Sequence, residues 1–120
     1  MTHSTALRIA ALLGGLAVAL GAFGAHGLKP LLTRNDTVTI WEKAVFYHLI
    51  HAVMLFIVAH RSPLHLGPWL SFLLGIILFS GSLYLLALTN VRWLGAITPI
   101  GGICFLVGWL WLALRTVRTD

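Results

Sequence analysis

Apolar residues fall into four long stretches separated by short polar turns. A helix needs about 20 mostly apolar residues to cross a bilayer. The first stretch runs from Ala6 to Ala25, the third from Trp69 to Leu88 and the fourth from Trp93 to Leu114; Arg8, near the start of the first, is the one charge within them. Pro99 removes one backbone hydrogen bond in the first turns of the fourth, which predicts a kink or a late helix start there. The second stretch is uncharged only from Ala44 to Ala59. Upstream, Thr39-Ile40-Trp41-Glu42 fits a capping box, which would start the helix at Ile40 and carry it to His60. Glu42 would then sit at the positive end of the helix dipole, and Trp41 and Lys43 at the interface, where Trp is favoured.

The pattern predicts an all-α protein, an integral-membrane four-helix bundle. It forms one transmembrane domain over residues 1–120, with helices at 6–25, 40–60, 69–88 and 93–114. The connections are short. Residues 61–68 and 89–92 read as turns, and Leu28-Lys29-Pro30-Leu31-Leu32 is expected on the membrane surface. A signal peptide is the rival reading of the first stretch. Its apolar core would be shorter, about 7–15 residues, and Phe23 is a poor fit three positions from a cut at Ala25. The stretch is therefore expected to remain in the protein.

Composition sharpens this picture. Of 120 residues, 59% are hydrophobic and 9% charged, against about 25% charged in a soluble domain. A chain this short cannot hide so much apolar surface from water. The net charge of +5 comes from single basic residues at the ends of apolar runs, where long cationic side chains reach the headgroups. No basic cluster is interleaved with aromatics, so nucleic acid is not an expected partner. The lipid bilayer is, together with a larger membrane complex or a homo-oligomer. One membrane face would hold Arg8, Arg61, Arg115 and Arg118, the other Lys29, Arg34, Lys43 and Arg92. That balance leaves orientation nearly open under the positive-inside rule; the terminal arginines and the amino terminus tip it toward both termini inside. Cys104, the only cysteine, excludes an intrachain disulfide and a multi-thiolate metal site, and reads as a small core residue.

Lipid tails provide no hydrophobic drive between helices, so packing depends on small residues that let backbones approach. Gly14, Ala17, Gly21 and Gly24 form a stripe in the first segment. Gly75 and Gly81 stand in the third, Gly101 and Gly102 in the fourth. These are the expected helix-packing positions. The Ser hydroxyls of the third segment can bond the carbonyl one turn back.

Polar groups inside a membrane are candidate functional residues by default. They are His26, Tyr47, His48, His51 and Tyr84, with Glu42 at the edge of a span. On a helical wheel Ala44, Tyr47, His48, His51, Leu55 and Val58 share one face. His48 and His51 are three apart, so their rings can approach. The leading reading is neutral histidines hydrogen-bonded inside the bundle, with His51 bonded to Tyr84, Thr98 or His26. Proton or solute handling comes second. Metal or haem comes last, because further ligands are required, and no cofactor or metal site is expected. Glu42 is expected to be a cap rather than a coupling carboxylate. Small multidrug exporters need a carboxylate in the first helix, which this chain lacks. Nothing resembles a nucleophile–base constellation or a phosphate loop, so no enzyme activity is expected.

Four signatures, in order along nearly the whole chain, carry a resemblance. They are Gly21-Ala22-Phe23-Gly24-Ala25-His26-Gly27-Leu28, Tyr47-His48-Leu49-Ile50-His51-Ala52, Phe79-Ser80-Gly81-Ser82-Leu83-Tyr84-Leu85-Leu86-Ala87-Leu88, and Leu94-Gly95-Ala96-Ile97-Thr98-Pro99-Ile100-Gly101-Gly102. Together they resemble the bacterial inner-membrane family known as domain of unknown function 423, whose eukaryotic relatives are called transmembrane protein 256. The resemblance implies a small multi-pass bacterial membrane protein with no established activity, cofactor or catalytic residue. It marks His26, His51, Tyr84, Thr98 and Pro99 as signature positions. The function expected is that of a structural or accessory membrane subunit; the alternative is a small-solute or proton-coupled transporter using buried histidines.

Overall fold

The computed structural model describes residues 1–115, so Arg118 lies outside the described residues. Helix α1 spans His3–Ala25, α2 Lys29–Asn35 and α3 Val38–Ala59. The third span is built from α4 (Leu66–Gly75), a π-helical turn at Ile76–Ser80 and α5 (Gly81–Thr89). The fourth opens with a 3₁₀ turn at Arg92–Ala96 and continues as α6 (Thr98–Arg115). Pro99 stands in the first turn of α6, where its missing N–H costs nothing, and the regular helix starts late. Four helical spans, at His3–Ala25, Val38–Ala59, Leu66–Thr89 and Arg92–Arg115, are long and apolar enough to cross a membrane. The chain is an all-α four-helix membrane bundle.

Helix α1 packs along α3, α3 along the third span, and the third span along α6. The outer spans are the open ones. Only 17% of the apolar stretch of α1 and 22% of that of the fourth span are buried, against 39% and 44% for the two inner spans. Two contacts fix the ends. His3 Nδ1 donates to the Ala59 carbonyl (2.9 Å), joining the start of α1 to the end of α3. Asn35 Nδ2 donates to the carbonyls of Ala87 (3.1 Å) and Leu88 (3.3 Å) at the end of α5. The second contact anchors α2, whose Leu32 is wholly buried against Trp41 and Ala87. The segment expected on the membrane surface is therefore partly a packed element.

In lipid, close contact and polar bonds must supply the cohesion that water supplies to soluble proteins. The glycines show where the backbones meet. A Cβ on Gly24 would strike the Trp41 indole, and one on Gly75 the Phe105 ring. One on Gly101 would strike the backbone of Phe79. Gly21 approaches Val45, with a Cβ placed 3.3 Å from its Cγ1. Gly102 has only ordinary contact room at Phe79. Gly14 and Gly81 correct the sequence reading, because a Cβ on either would meet nothing within 4 Å. The buried line of α1 runs through Ala6, Ala10, Ala17 and Gly24. Gly14 stands one residue, or about 100°, past Leu13, which packs on the core.

The capping box is also corrected. Helix α3 begins at Val38, and Thr37 stands at its N-cap without a side-chain cap bond. The Thr37 hydroxyl instead donates to the Ala87 carbonyl (2.8 Å), so Thr39 and Glu42 fall inside the helix. Glu42 is exposed. Cys104 is half-buried rather than a core residue.

Candidate functional site

Helix α3 presents Ala44, His48, His51, Leu55 and Val58 to the interior on one face. Tyr47, expected on that face, lies at its margin and is 37% exposed. Its ring packs on Phe79 of the third span, centroids 4.6 Å apart. The two histidines do not pair with one another. They point to different spans.

His51 faces α6. Its Nδ1 lies 2.7 Å from the Tyr47 carbonyl. A carbonyl only accepts, so Nδ1 carries the proton. Its Nε2 accepts from the Trp109 indole N–H at 3.1 Å. An indole nitrogen only donates, so Nε2 is unprotonated. The two bonds together fix one neutral tautomer. The ring lies flat against Phe105, centroids 3.6 Å apart and planes 10° from parallel. The partners expected from sequence, Tyr84, Thr98 and His26, are not used. Trp109 is the residue that sequence reasoning missed; its indole N–H, a donor within the fourth stretch, is the signal that points to it.

His48 faces the third span. Its Nδ1 is 2.8 Å from the Tyr84 hydroxyl, and Tyr84 in turn packs on Trp41, centroids 4.8 Å apart. Trp41 donates to the Leu20 carbonyl on α1 (2.9 Å). The second ring nitrogen of His48, Nε2, is buried and has no hydrogen-bond partner.

The serines complete the interior polar set. Ser80, in the π turn, donates to the Ala44 carbonyl of α3 at 2.8 Å. Ser82 shares a 2.7 Å bond with Thr98 of α6 and also reaches back to the Phe79 carbonyl. Only Ser71 makes the purely local bond expected, to the Gly67 carbonyl. The π turn thus ends at Ser80, and with Ser82 just beyond it the third span bonds both of its neighbours. Its widened ring is closed by the Gly81 N–H on the Ile76 carbonyl, five residues back. His26 lies at the end of α1, exposed and away from this set. Among the described residues no three His, Cys, Asp or Glu side chains gather as a metal site would require.

Comparison with known proteins places this geometry in a family. Residues 20–102 match the family described as "Protein of unknown function (DUF423)". The chain belongs to this family. Similar relatives are a protein of Staphylococcus epidermidis named "UPF0382 membrane protein" and one of Bacillus subtilis named "UPF0382 membrane protein YwdK". The first is 48% identical over 108 residues, covering 86% of this chain and 87% of the relative. The second is 44% identical over 110 residues, covering 86% and 88%. No solved structure matches the chain. The matched stretch of the DUF423 family contains α3, the π turn and the start of α6, and with them His48, His51, Ser80, Tyr84 and Thr98.

Proposed function

We propose that this protein is a structural or accessory subunit of the bacterial inner membrane, without enzymatic activity of its own. One observation carries the reading. Among the described residues the buried polar side chains are Thr37, His48, His51, Ser80 and Ser82, and each bonds a group on a different span. Groups used this way pin helices in register, and in lipid such bonds contribute about 0.6–2 kcal/mol each. A pathway for a solute needs polar groups free to exchange partners, whereas His51 has both nitrogens committed. The open outer faces of α1 and α6 suit contact with a larger assembly or with another copy.

Purification from native membranes in a gentle detergent tests this reading. An assembly of fixed stoichiometry, larger than the 13.1 kDa chain, is expected. A lone chain that carries proton or solute flux after reconstitution into vesicles would overturn it.

A second reading rests on one atom. Nε2 of His48 is buried and unbonded, which is expensive in a membrane unless the atom is used. It supports proton or small-solute handling at the contact of α1, α3 and the third span. Flux in vesicles that disappears in His48→Gln while the fold is retained would favour this reading over the first.

A further inference from the structure

At the membrane face that carries the start of α1, the turn between α3 and α4 and the end of α6 enclose a cavity of about 220 Å³. Four features of its lining point to one kind of ligand. Arg115, in the last turn of α6, stands at the wall. His65 stands in the wall half-buried, and behind its exposed ring atoms Nδ1 is buried without a partner. The first amides of α4, at Leu66 and Gly67, have no intrahelical acceptor and lie at the positive end of a long span. Trp111 and Leu64 supply apolar walls. A Cβ on Gly67 would strike the Trp111 ring, so that glycine lets the indole close against the helix start.

The charge around the cavity agrees. Arg8 and Arg61 lie at the same face as Arg115. Among the described residues the two acids, Asp36 and Glu42, lie at the opposite face, beside α2 and the start of α3. The volume is below the roughly 300–1,000 Å³ of sites for drug-sized ligands, and suits a headgroup with its first carbons.

We propose that this cavity binds a phosphate-bearing anion, which at a membrane surface is the headgroup of an anionic phospholipid. Arg115 supplies the charge-assisted bond. The amides of Leu66 and Gly67 donate to the remaining phosphate oxygens, and a turn of the His65 ring brings its unpaired Nδ1 to them. Trp111 lies along the glycerol, at the depth where indoles favour the interface. Occupied in this way, the cavity would couple the ends of α3, α4 and α6 to the lipid composition of one leaflet.

The full-length protein in mild detergent is titrated with phosphatidylglycerol, with phosphatidylcholine and with inorganic phosphate, and binding is read by native mass spectrometry. Phosphatidylglycerol is expected to saturate at one molecule per chain and to bind about tenfold tighter than phosphatidylcholine. Arg115→Gln and His65→Leu should each weaken it about fivefold to tenfold, while Arg92→Gln, at the opposite face, should not. If one variant fails to fold, the other carries the comparison. Saturable binding of inorganic phosphate, with the same sensitivity to Arg115→Gln, would support the phosphate chemistry and assign a free phosphate as its source. Equal binding of the two lipids without any phosphate binding, or equal losses in Arg115→Gln and Arg92→Gln, would overturn the proposal.

Discussion

Replacing Gly101 with alanine adds one methyl group where α6 rests on the backbone of the third span. The new Cβ would lie 2.7 Å from Cα and Cβ of Phe79 and closer still to its amide nitrogen. Backbone atoms cannot rotate aside as the end of a side chain can. The helices must therefore separate by something on the order of 1 Å, a disturbance that close-packed interiors resist at a cost of about 1–3 kcal/mol. Alanine recovers roughly 0.5–1 kcal/mol of helix propensity over glycine. The net loss is about 1 kcal/mol at the middle of these ranges. The opening would also draw Phe105, which moves with α6, from the rings of His51 and Phe79. Gly14→Ala is the matched control, because its Cβ would meet nothing within 4 Å and only the propensity gain applies. Reversible unfolding by sodium dodecyl sulfate, followed by circular dichroism, should separate the two variants by about 2 kcal/mol. If Gly101→Ala proves as stable as Gly14→Ala, the contact at Phe79 does not hold the bundle and the packing argument fails.

Three further outcomes are expected. His51→Leu leaves the Trp109 N–H without its acceptor and should lower stability by roughly 1–3 kcal/mol; combining it with Trp109→Phe should cost less than the sum of the single changes, and simple additivity would show that the bond contributes nothing. Thr37→Val keeps the side-chain shape but removes the bond to the Ala87 carbonyl, for a loss of about 0.5–1.5 kcal/mol in the same unfolding assay; no loss would reassign Thr37 to shape alone. Reporter fusions at the two ends should report the same compartment, and opposite compartments would remove one span.

The spans were legible because a bilayer demands about 20 apolar residues per crossing, a signal too long to arise within this chain by other means. Contacts between spans were legible only where the residue type admits one use. Gly21 and Gly24 meet α3 at Val45 and Trp41, whereas Gly14 meets nothing within 4 Å, since a glycine's role depends on which side of α1 receives α3. The cap at Thr39 failed because Thr37 is drawn to the end of α5, a tertiary bond that no local pattern announces. The period of the second stretch puts His51 on the interior face, yet it points to hydroxyls and histidines as its partners. The donor is an indole, and Trp109, 42% exposed, looks from sequence like a lipid-facing aromatic. The π turn left no mark in the residues of Ile76–Ser80. The turn at 61–68 read as a connection, and the cavity it forms with Arg115 needed the end of α6 brought alongside it.

The state of the His51 ring tests the central claim, that the polar interior pins the helices together. Nitrogen-15 resonances of His51 in the protein held in lipid nanodiscs at pH 7 distinguish the two ring positions. The hydrogen bonds to the Tyr47 carbonyl and from the Trp109 indole predict a neutral ring with its proton on Nδ1 and none on Nε2. A proton found on Nε2, alone or as part of an imidazolium, would contradict the account.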